Sequence, residues 1–237
     1  MYRFSLPLIA LLGALAAGCE TYSAPMSTRE QPPSLRITAH PVTVGETLYS
    51  IAWRYDLDVR KLAKANAISP PYTIRSGQVL SLKTTGINLS DASRSTAPVP
   101  QVNSGSVAEA KTTPKPIVYS KNLRWQWPVK GEVVEGYSPK DLRKGLSIRS
   151  NASLNVQPAA PGTVVYAGDG LRGYGKLVII KHSEVLLSAY AHNEEILVKE
   201  GQTVKSTETI SKLGSKKTLY FEIRKDGNPV NPTVYID

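Results

Sequence analysis

The chain passes twice from irregular polar sequence into a regular hydrophobic pattern, and the first regular segment covers residues 40–83. Val42 and Val44 alternate with other residues, which predicts a short strand. Residues 77–82 alternate again and predict a closing strand. Between them, apolar residues recur at helical spacing and predict two short helices, one over Leu48, Ile51, Ala52 and Tyr55 and one over Val59, Leu62, Ala63 and Asn66. The predicted order is strand, helix, helix, strand.

The second regular segment, residues 125–237, has the short β-branched and aromatic runs of an antiparallel β domain. Strands are predicted for residues 162–168, 177–180, 186–191 and 219–224, with a hairpin turn at Asp226-Gly227. Residues 198–204 are predicted to turn at Glu200-Gly201-Gln202. The fold class is therefore α+β, with a small βααβ module followed by a larger β-rich domain.

The segment between the two modules, residues 84–124, is rich in Ser, Thr, Pro, Asn and Gly. Such a composition buries too little apolar surface to order itself, which predicts a disordered linker. A random coil of this length spans roughly 35 Å between its ends. We therefore expect the two modules to be able to act some distance apart.

The N-terminal sequence predicts export. Arg3 precedes an uncharged stretch, residues 4–18, that is short for a membrane span and ends in small residues before Cys19. The sequence Leu15-Ala16-Ala17-Gly18-Cys19 resembles the bacterial lipobox, which implies a signal peptide over residues 1–18 and acylation of Cys19. With Glu20 next, the resemblance implies sorting to the outer membrane, facing the periplasm. The alternative is an ordinary signal peptide followed by an unrelated Cys. Residues 19–37 are polar and are predicted to be a tether.

Export changes the meaning of the net charge of +10, which comes from 29 Lys and Arg against 19 Asp and Glu. Nucleic acid is not an expected partner outside the cytoplasm. The anions available there are the carboxylates of cell-wall peptides and the phosphates of surface glycolipids. The alternative is that the excess cations only keep the surface soluble. The single Cys excludes a disulfide framework, and three His leave few ligands for a zinc site.

The first module, assigned to residues 38–83, resembles a LysM repeat in residues 43–52, Leu62, Asn66 and residues 77–80. The resemblance implies a shallow groove that binds N-acetylglucosamine-containing glycans of peptidoglycan. The groove lies between the loop before the first helix and the loop before the last strand. Tyr72 either stacks on a sugar ring or covers the core. Carried over by position, the glycan-binding residues are Gly45, Glu46, Thr47, Leu48, Ile68, Tyr72 and Ile74.

The second module resembles the lysostaphin-type (LytM) zinc endopeptidases, most closely in residues 173–182, 188–192, 201–204 and 221–232. Active members hold zinc with the His and Asp of an H-x-x-x-D motif and with the second His of H-x-H. The aligned positions here carry Arg143 and Ser147 for the first motif and Thr218 and Tyr220 for the second. A guanidinium has no lone pair to offer, and a catalytic zinc needs about three protein ligands. The comparison implies no metal, no cofactor and no peptidase activity.

Two of the three histidines fall in this module. His192 stands at the catalytic-His position of the family, whereas His182 is predicted to be a hydrogen-bonding residue of a strand. A site rebuilt from His182, His192 and Glu222 is the alternative that would restore a metal centre.

The arrangement of lipobox, LysM module, linker and ligand-free LytM domain resembles the NlpD-type murein hydrolase activators. That resemblance implies stimulation of N-acetylmuramoyl-L-alanine amidases during daughter-cell separation, by a degenerate groove that binds the amidase. Arg143 is the first candidate for a partner contact, and a solvated surface residue is its alternative. A structural lipoprotein that tethers the outer membrane to peptidoglycan is a second hypothesis, and a working zinc endopeptidase is a third. The groove residues expected to bind the partner are Arg143, Ser147, His192, Thr218 and Tyr220.

Overall fold

The computed structural model describes residues 37–89 and 123–236. The predictions for the signal peptide, for Cys19 and for most of the tether and linker lie outside these residues. We refer below to residues 37–89 as the LysM segment and to residues 123–236 as the LytM segment. Within these two segments, no helix is long and apolar enough to cross a bilayer.

The LysM segment has the predicted βααβ order. Its elements are β1 (Ala39–Pro41), α1 (Leu48–Arg54), α2 (Val59–Ala65) and β2 (Val79–Ser81). The two strands pair antiparallel, with His40 opposite Leu80. Helix α1 begins with a capping box, because the side chains of Thr47 and Ser50 each accept from the other's backbone N–H.

The prediction of a strand at Val42 and Val44 is wrong. The ladder ends at Pro41, and the chain then turns at Gly45, which has φ of +81°. Val42 is buried and still exchanges backbone hydrogen bonds with Gly77 and Gln78, whereas Val44 is 89% exposed. Val42 and Val44 therefore differ because Val42 is a core residue and Val44 lies next to the turn, and not because they alternate along a strand.

The LytM segment is built on one antiparallel sheet. Its strands are β3 (Gly131–Glu135), β4 (Leu146–Ser150), β5 (Asn155–Val156), β6 (Gly162–Gly168), β7 (Lys176–Lys181), β8 (Leu186–Ile196), β9 (Thr203–Val204), β10 (Ser211–Leu213), β11 (Thr218–Lys225) and β12 (Asn228–Val230). The path across the sheet is β3-β4-β11-β8-β7-β6-β9, so β11 and β8 are central, while β12 pairs with β11 and β10 joins β5 to β8.

The four predicted strands are confirmed as β6, β7, β8 and β11, and the Asp226-Gly227 turn joins β11 to β12. Besides β12, which the hairpin turn implies, five further strands were not predicted from the sequence: β3, β4, β5, β9 and β10. Strand β3 is exposed along its whole length and therefore has no buried periodicity. Strands β5 and β10 are two and three residues long, too short for a hydrophobic pattern to identify them.

Both faces of this sheet are covered by apolar side chains, and β7 shows how the two faces alternate. Val178 and Ile180 belong to the main core, together with Tyr190 and Phe221. Leu177 and Ile179 point to the opposite face, because successive side chains of a strand alternate. On that opposite face the sheet packs against Trp53 of the LysM segment.

The two modules are therefore in contact, although the length of the linker predicted that they could act apart. Thr47 Oγ1 donates to the carbonyl oxygen of Val165 at 3.1 Å. The backbone of Gly227 lies so close to Leu57 and Asp58 that a Cβ at position 227 would meet their backbone atoms at 2.5 Å.

Candidate functional site

The predicted groove lies on the face of the sheet that the LysM segment contacts. Tyr220, in the central strand β11, is paired with Ser147 of β4 on one side and with Ala191 of β8 on the other. Tyr220, Glu222 and Arg224 alternate along β11 and share this face. We call these three residues the β11 row.

The β11 row is a chain of hydrogen bonds. Tyr220 Oη donates to Glu222 Oε2 at 2.8 Å, and Arg224 Nε donates to Glu222 Oε1 at 2.6 Å. Glu222 and Arg224 are 0% and 1% exposed. Burial raises the pKa of Glu222, with the Arg224 cation opposing it, and burial together with the Glu222 charge raises the pKa of Tyr220. The phenol of Tyr220 therefore stays protonated and holds its hydrogen bond to the carboxylate.

Two further aromatic rings stand beside Tyr220. The His192 and Tyr220 ring centroids are 6.0 Å apart, and those of Tyr174 and Tyr220 are 5.9 Å apart, both edge to face. The backbone N–H of His192 donates to the Tyr174 carbonyl at 2.9 Å, with His192 at φ of +63°. Partial burial and the charge of Lys216 lower the pKa of His192, so its ring is neutral at neutral pH. The result is an aromatic surface of three rings rather than an acid–base pair.

The other expected groove residues make local contacts. The Arg143 guanidinium forms an ion pair with Asp141 at 2.8 Å and donates to the Gly136 carbonyl at 3.0 Å. Thr218 Oγ1 donates to the Lys216 carbonyl at 3.0 Å. The structure thus brings Ser147, His192 and Tyr220 together, and Thr218 shares their face of the sheet because it alternates with Tyr220 along β11. The side chain of Arg143 bonds instead within its own loop.

The donor set at this face does not fit the zinc ion that the peptidase fold implies. Ser147 Oγ donates to Glu135 Oε2 at 2.8 Å, and Glu222 is held by Arg224. His182 uses both ring nitrogens elsewhere, with Nδ1 at 2.8 Å from the Pro161 carbonyl and Nε2 at 2.6 Å from Ser188 Oγ. Among residues 37–89 and 123–236, no three His, Cys, Asp or Glu side chains form a metal-binding group.

Most of the expected glycan-binding residues line two clefts. Glu46, Thr47, Leu48, Tyr72 and Ile74 border a cleft of about 460 Å³ whose far wall is the LytM segment. Ile68 and Tyr72 border a neighbouring cleft of about 740 Å³. Gly45 is exposed in the turn before α1.

Three of these residues have structural contacts that limit their role in binding. Leu48 is 1% exposed and belongs to the LysM core. The Glu46 carboxylate is bound by Arg54 at 2.6 Å and by His40 at 2.8 Å, and hydrogen bonds from Thr43 and His40 lower its pKa even though burial alone would raise it. The Tyr72 ring packs edge to face on Tyr49, with centroids 5.9 Å apart. Tyr72 therefore packs on a core residue, Tyr49, and also borders the open cleft.

The sequence analysis did not single out Trp53, Asp56 or Tyr174. Trp53 is 2% exposed, and it packs with LytM residues rather than with the LysM core. The signal was present in the helical pattern, because Trp53 falls outside the face formed by Leu48, Ile51 and Ala52. A large aromatic residue off the core face of a small module indicates a docking surface.

Comparisons with known proteins agree with both modules. The profile of the LysM domain matches residues 40–83, and that of Peptidase family M23 matches residues 141–232. A protein named "Lipoprotein NlpD/LppB homolog" from Pseudomonas aeruginosa is 40% identical over 90% of this chain and 81% of its own length. "Murein hydrolase activator NlpD" from Escherichia coli is 32% identical over 84% of this chain and 68% of its own length. Among solved structures, a putative M23 peptidase from Pseudomonas aeruginosa covers 49% of this chain and 51% of its own, with 26% identity and a TM-score of 0.44.

Proposed function

Since the chain belongs to the NlpD/LppB family of cell-envelope lipoproteins, we propose that it binds peptidoglycan and activates N-acetylmuramoyl-L-alanine amidases without cutting the wall itself. The LysM segment would bind glycan strands. Lipid on Cys19 would hold the protein at the outer membrane, facing the periplasm. The LytM segment would bind the amidase and favour its open form, which needs only a higher affinity for the open than for the closed amidase.

The β11 row carries this proposal. The face on which the peptidase fold would hold a metal has a phenol, a buried carboxylate and a buried guanidinium, all bound to one another. A row of this kind cannot activate water as a zinc site does, because none of its groups is free to ligate. The surrounding rings of Tyr174, His192 and Tyr220 offer instead the aromatic surface that protein interfaces use as anchors.

The test is dye release from labelled peptidoglycan by a purified amidase, with the protein added in increasing amounts. We expect the wild-type chain to raise the rate. Tyr220→Ala removes the central ring of the aromatic surface and should raise the half-saturating concentration at least tenfold. Lys212→Ala is the matched control, because Lys212 lies in β10, outside the aromatic surface, where its half-exposed side chain forms an ion pair with Glu195, and its loss should leave stimulation unchanged.

Arg143→Ala belongs in the same assay. Its exposed ion pair with Asp141 contributes little to stability, so loss of stimulation would place Arg143 at the interface. Unchanged stimulation would restrict the interface to the aromatic surface. If the wild-type chain changes the rate of no amidase, the tethering role replaces the activator role.

A further inference from the structure

The LysM segment already occupies the aromatic face of the LytM segment, and Trp53 is the side chain that does so. It belongs to a buried cluster against which the partly buried Tyr174 and Tyr220 pack. The other buried members of the cluster all come from the LytM segment: Tyr166, Leu171, Leu177, Ile179, Ala189 and Ala191. Trp53 therefore serves the contact between the modules and not the LysM core.

Arg224 of the β11 row recognises Trp53 in two ways. Its guanidinium carbon lies 3.9 Å from the centroid of the indole ring, in cation–π geometry. Its Nη1 donates to the Trp53 carbonyl oxygen at 2.9 Å. The planar guanidinium is suited to stacking and hydrogen bonding at the same time.

Asp56, three residues after Trp53, supplies a carboxylate to the same site. Its Oδ1 lies 2.9 Å from Arg224 Nη2, and its Oδ2 lies 2.6 Å from Lys144 Nζ. Both carboxylate oxygens are thus bound by cations of the LytM segment. Residues 53–56 thus present an aromatic ring, a carbonyl oxygen and a carboxylate. Arg224 contacts all three groups, and Lys144 binds the carboxylate as well.

We propose that Trp53 and Asp56 are an internal ligand of the amidase-binding surface, and that the amidase offers a short helix end and the turn after it, with an aromatic residue and a carboxylate in the same relation. This inference rests on the proposed function, because it names the occupant of the same face. The LysM segment and the amidase then compete for Tyr220 and Arg224. The observed arrangement is the closed form of the activator, and the linker between residues 89 and 123 is long enough in sequence to let the modules separate.

Competition has a measurable consequence. The apparent affinity of a protein for its partner falls by the fraction of molecules in the competent form. If about nine molecules in ten are closed, opening the contact lowers the half-saturating concentration about tenfold. Maximal stimulation at saturation stays the same, because the amidase-binding surface itself is unaltered.

Three variants open the contact by different means. Trp53→Ala removes the buried ring, and Asp56→Asn removes the charge that Arg224 and Lys144 bind. Gly227→Ala places a Cβ at 2.5 Å from backbone atoms of Leu57 and Asp58 and acts as a wedge. Its matched control is Gly86→Ala, because both glycines have φ of +79° but nothing lies within 4 Å of a Cβ at position 86.

The experiment measures amidase stimulation as a function of activator concentration, together with small-angle X-ray scattering of each variant. We expect the three opening variants to expand in scattering and to stimulate at a several-fold lower concentration, while Gly86→Ala behaves as the wild type. Variants that expand but stimulate at an unchanged or higher concentration would overturn the internal-ligand proposal and leave the activator function standing. If neither the wild type nor any opened variant stimulates an amidase, the proposed function fails and the inference fails with it.

Discussion

The buried His182 makes the stability of the LytM segment depend on pH in a way that can be calculated. The side chain is fully buried, and burial lowers its pKa from 6.5 to about 4. In the unfolded chain the imidazole takes up a proton below pH 6.5, whereas in the fold it stays neutral down to about pH 4. The stabilisation is therefore complete above pH 6.5 and is lost progressively as the pH falls toward 4. At about 1.4 kcal/mol per pH unit, the loss is about 3 kcal/mol.

Two measurements check this prediction. Because the chain has three histidines, NMR titration of the imidazole resonances can follow each one, and His182 should remain neutral until about pH 4. Urea unfolding at pH 7 and pH 4.5 should show a large loss of stability in the wild type and a much smaller one in His182→Gln. His192→Gln is the control and should keep the wild-type dependence, because its ring is more exposed. A His182 pKa near 6.5 in the folded protein would refute the reasoning.

Three further predictions concern the LysM segment and the N-terminus. Asn66→Ala removes side-chain bonds to the backbones of Leu62 and Ser81, which join α2 to β2, and should lower the free energy of unfolding by about 2 kcal/mol in thermal or urea denaturation. Tyr72→Ala should reduce co-sedimentation with purified peptidoglycan several-fold, whereas unchanged binding would make Tyr72 a residue of the core alone. Cys19→Ser should abolish incorporation of labelled fatty acid and release the protein from the membrane fraction.

The fold was largely predictable from the sequence where one face of an element is buried. The strands around residues 162–168 and 219–224 carry clear β patterns, and both were predicted. Residues 177–180 also predicted a strand, but all four are buried, so only the structure shows which of them face the LysM segment. The exposed strand β3 left no hydrophobic pattern to read.

The candidate site was predictable only in part. The alignment to a motif predicts where a residue lies in the fold, but it does not predict which groups its side chain contacts. Ser147 and Tyr220 were placed together by the motif alignment, and they are neighbours in the sheet. Arg143 was expected to lead the partner contact, yet its recorded bonds are to Asp141 and Gly136. The cations that bind Asp56 of the LysM segment are Arg224 and Lys144, and the sequence analysis gave neither a partner-binding role. The contacts of Arg224 with Trp53 and Asp56 span more than 160 residues of sequence, which no local pattern can indicate.

The central claim is that the LytM segment binds and activates but does not hydrolyse. The most direct measurement is mass spectrometry of the products from purified peptidoglycan, incubated with zinc and with the protein alone, the amidase alone, or both. The account predicts no cleavage by the protein alone and, with both proteins, a faster release of stem peptides at the N-acetylmuramoyl-L-alanine bond only. Cleaved peptide cross-links in the sample that contains the protein alone would contradict it.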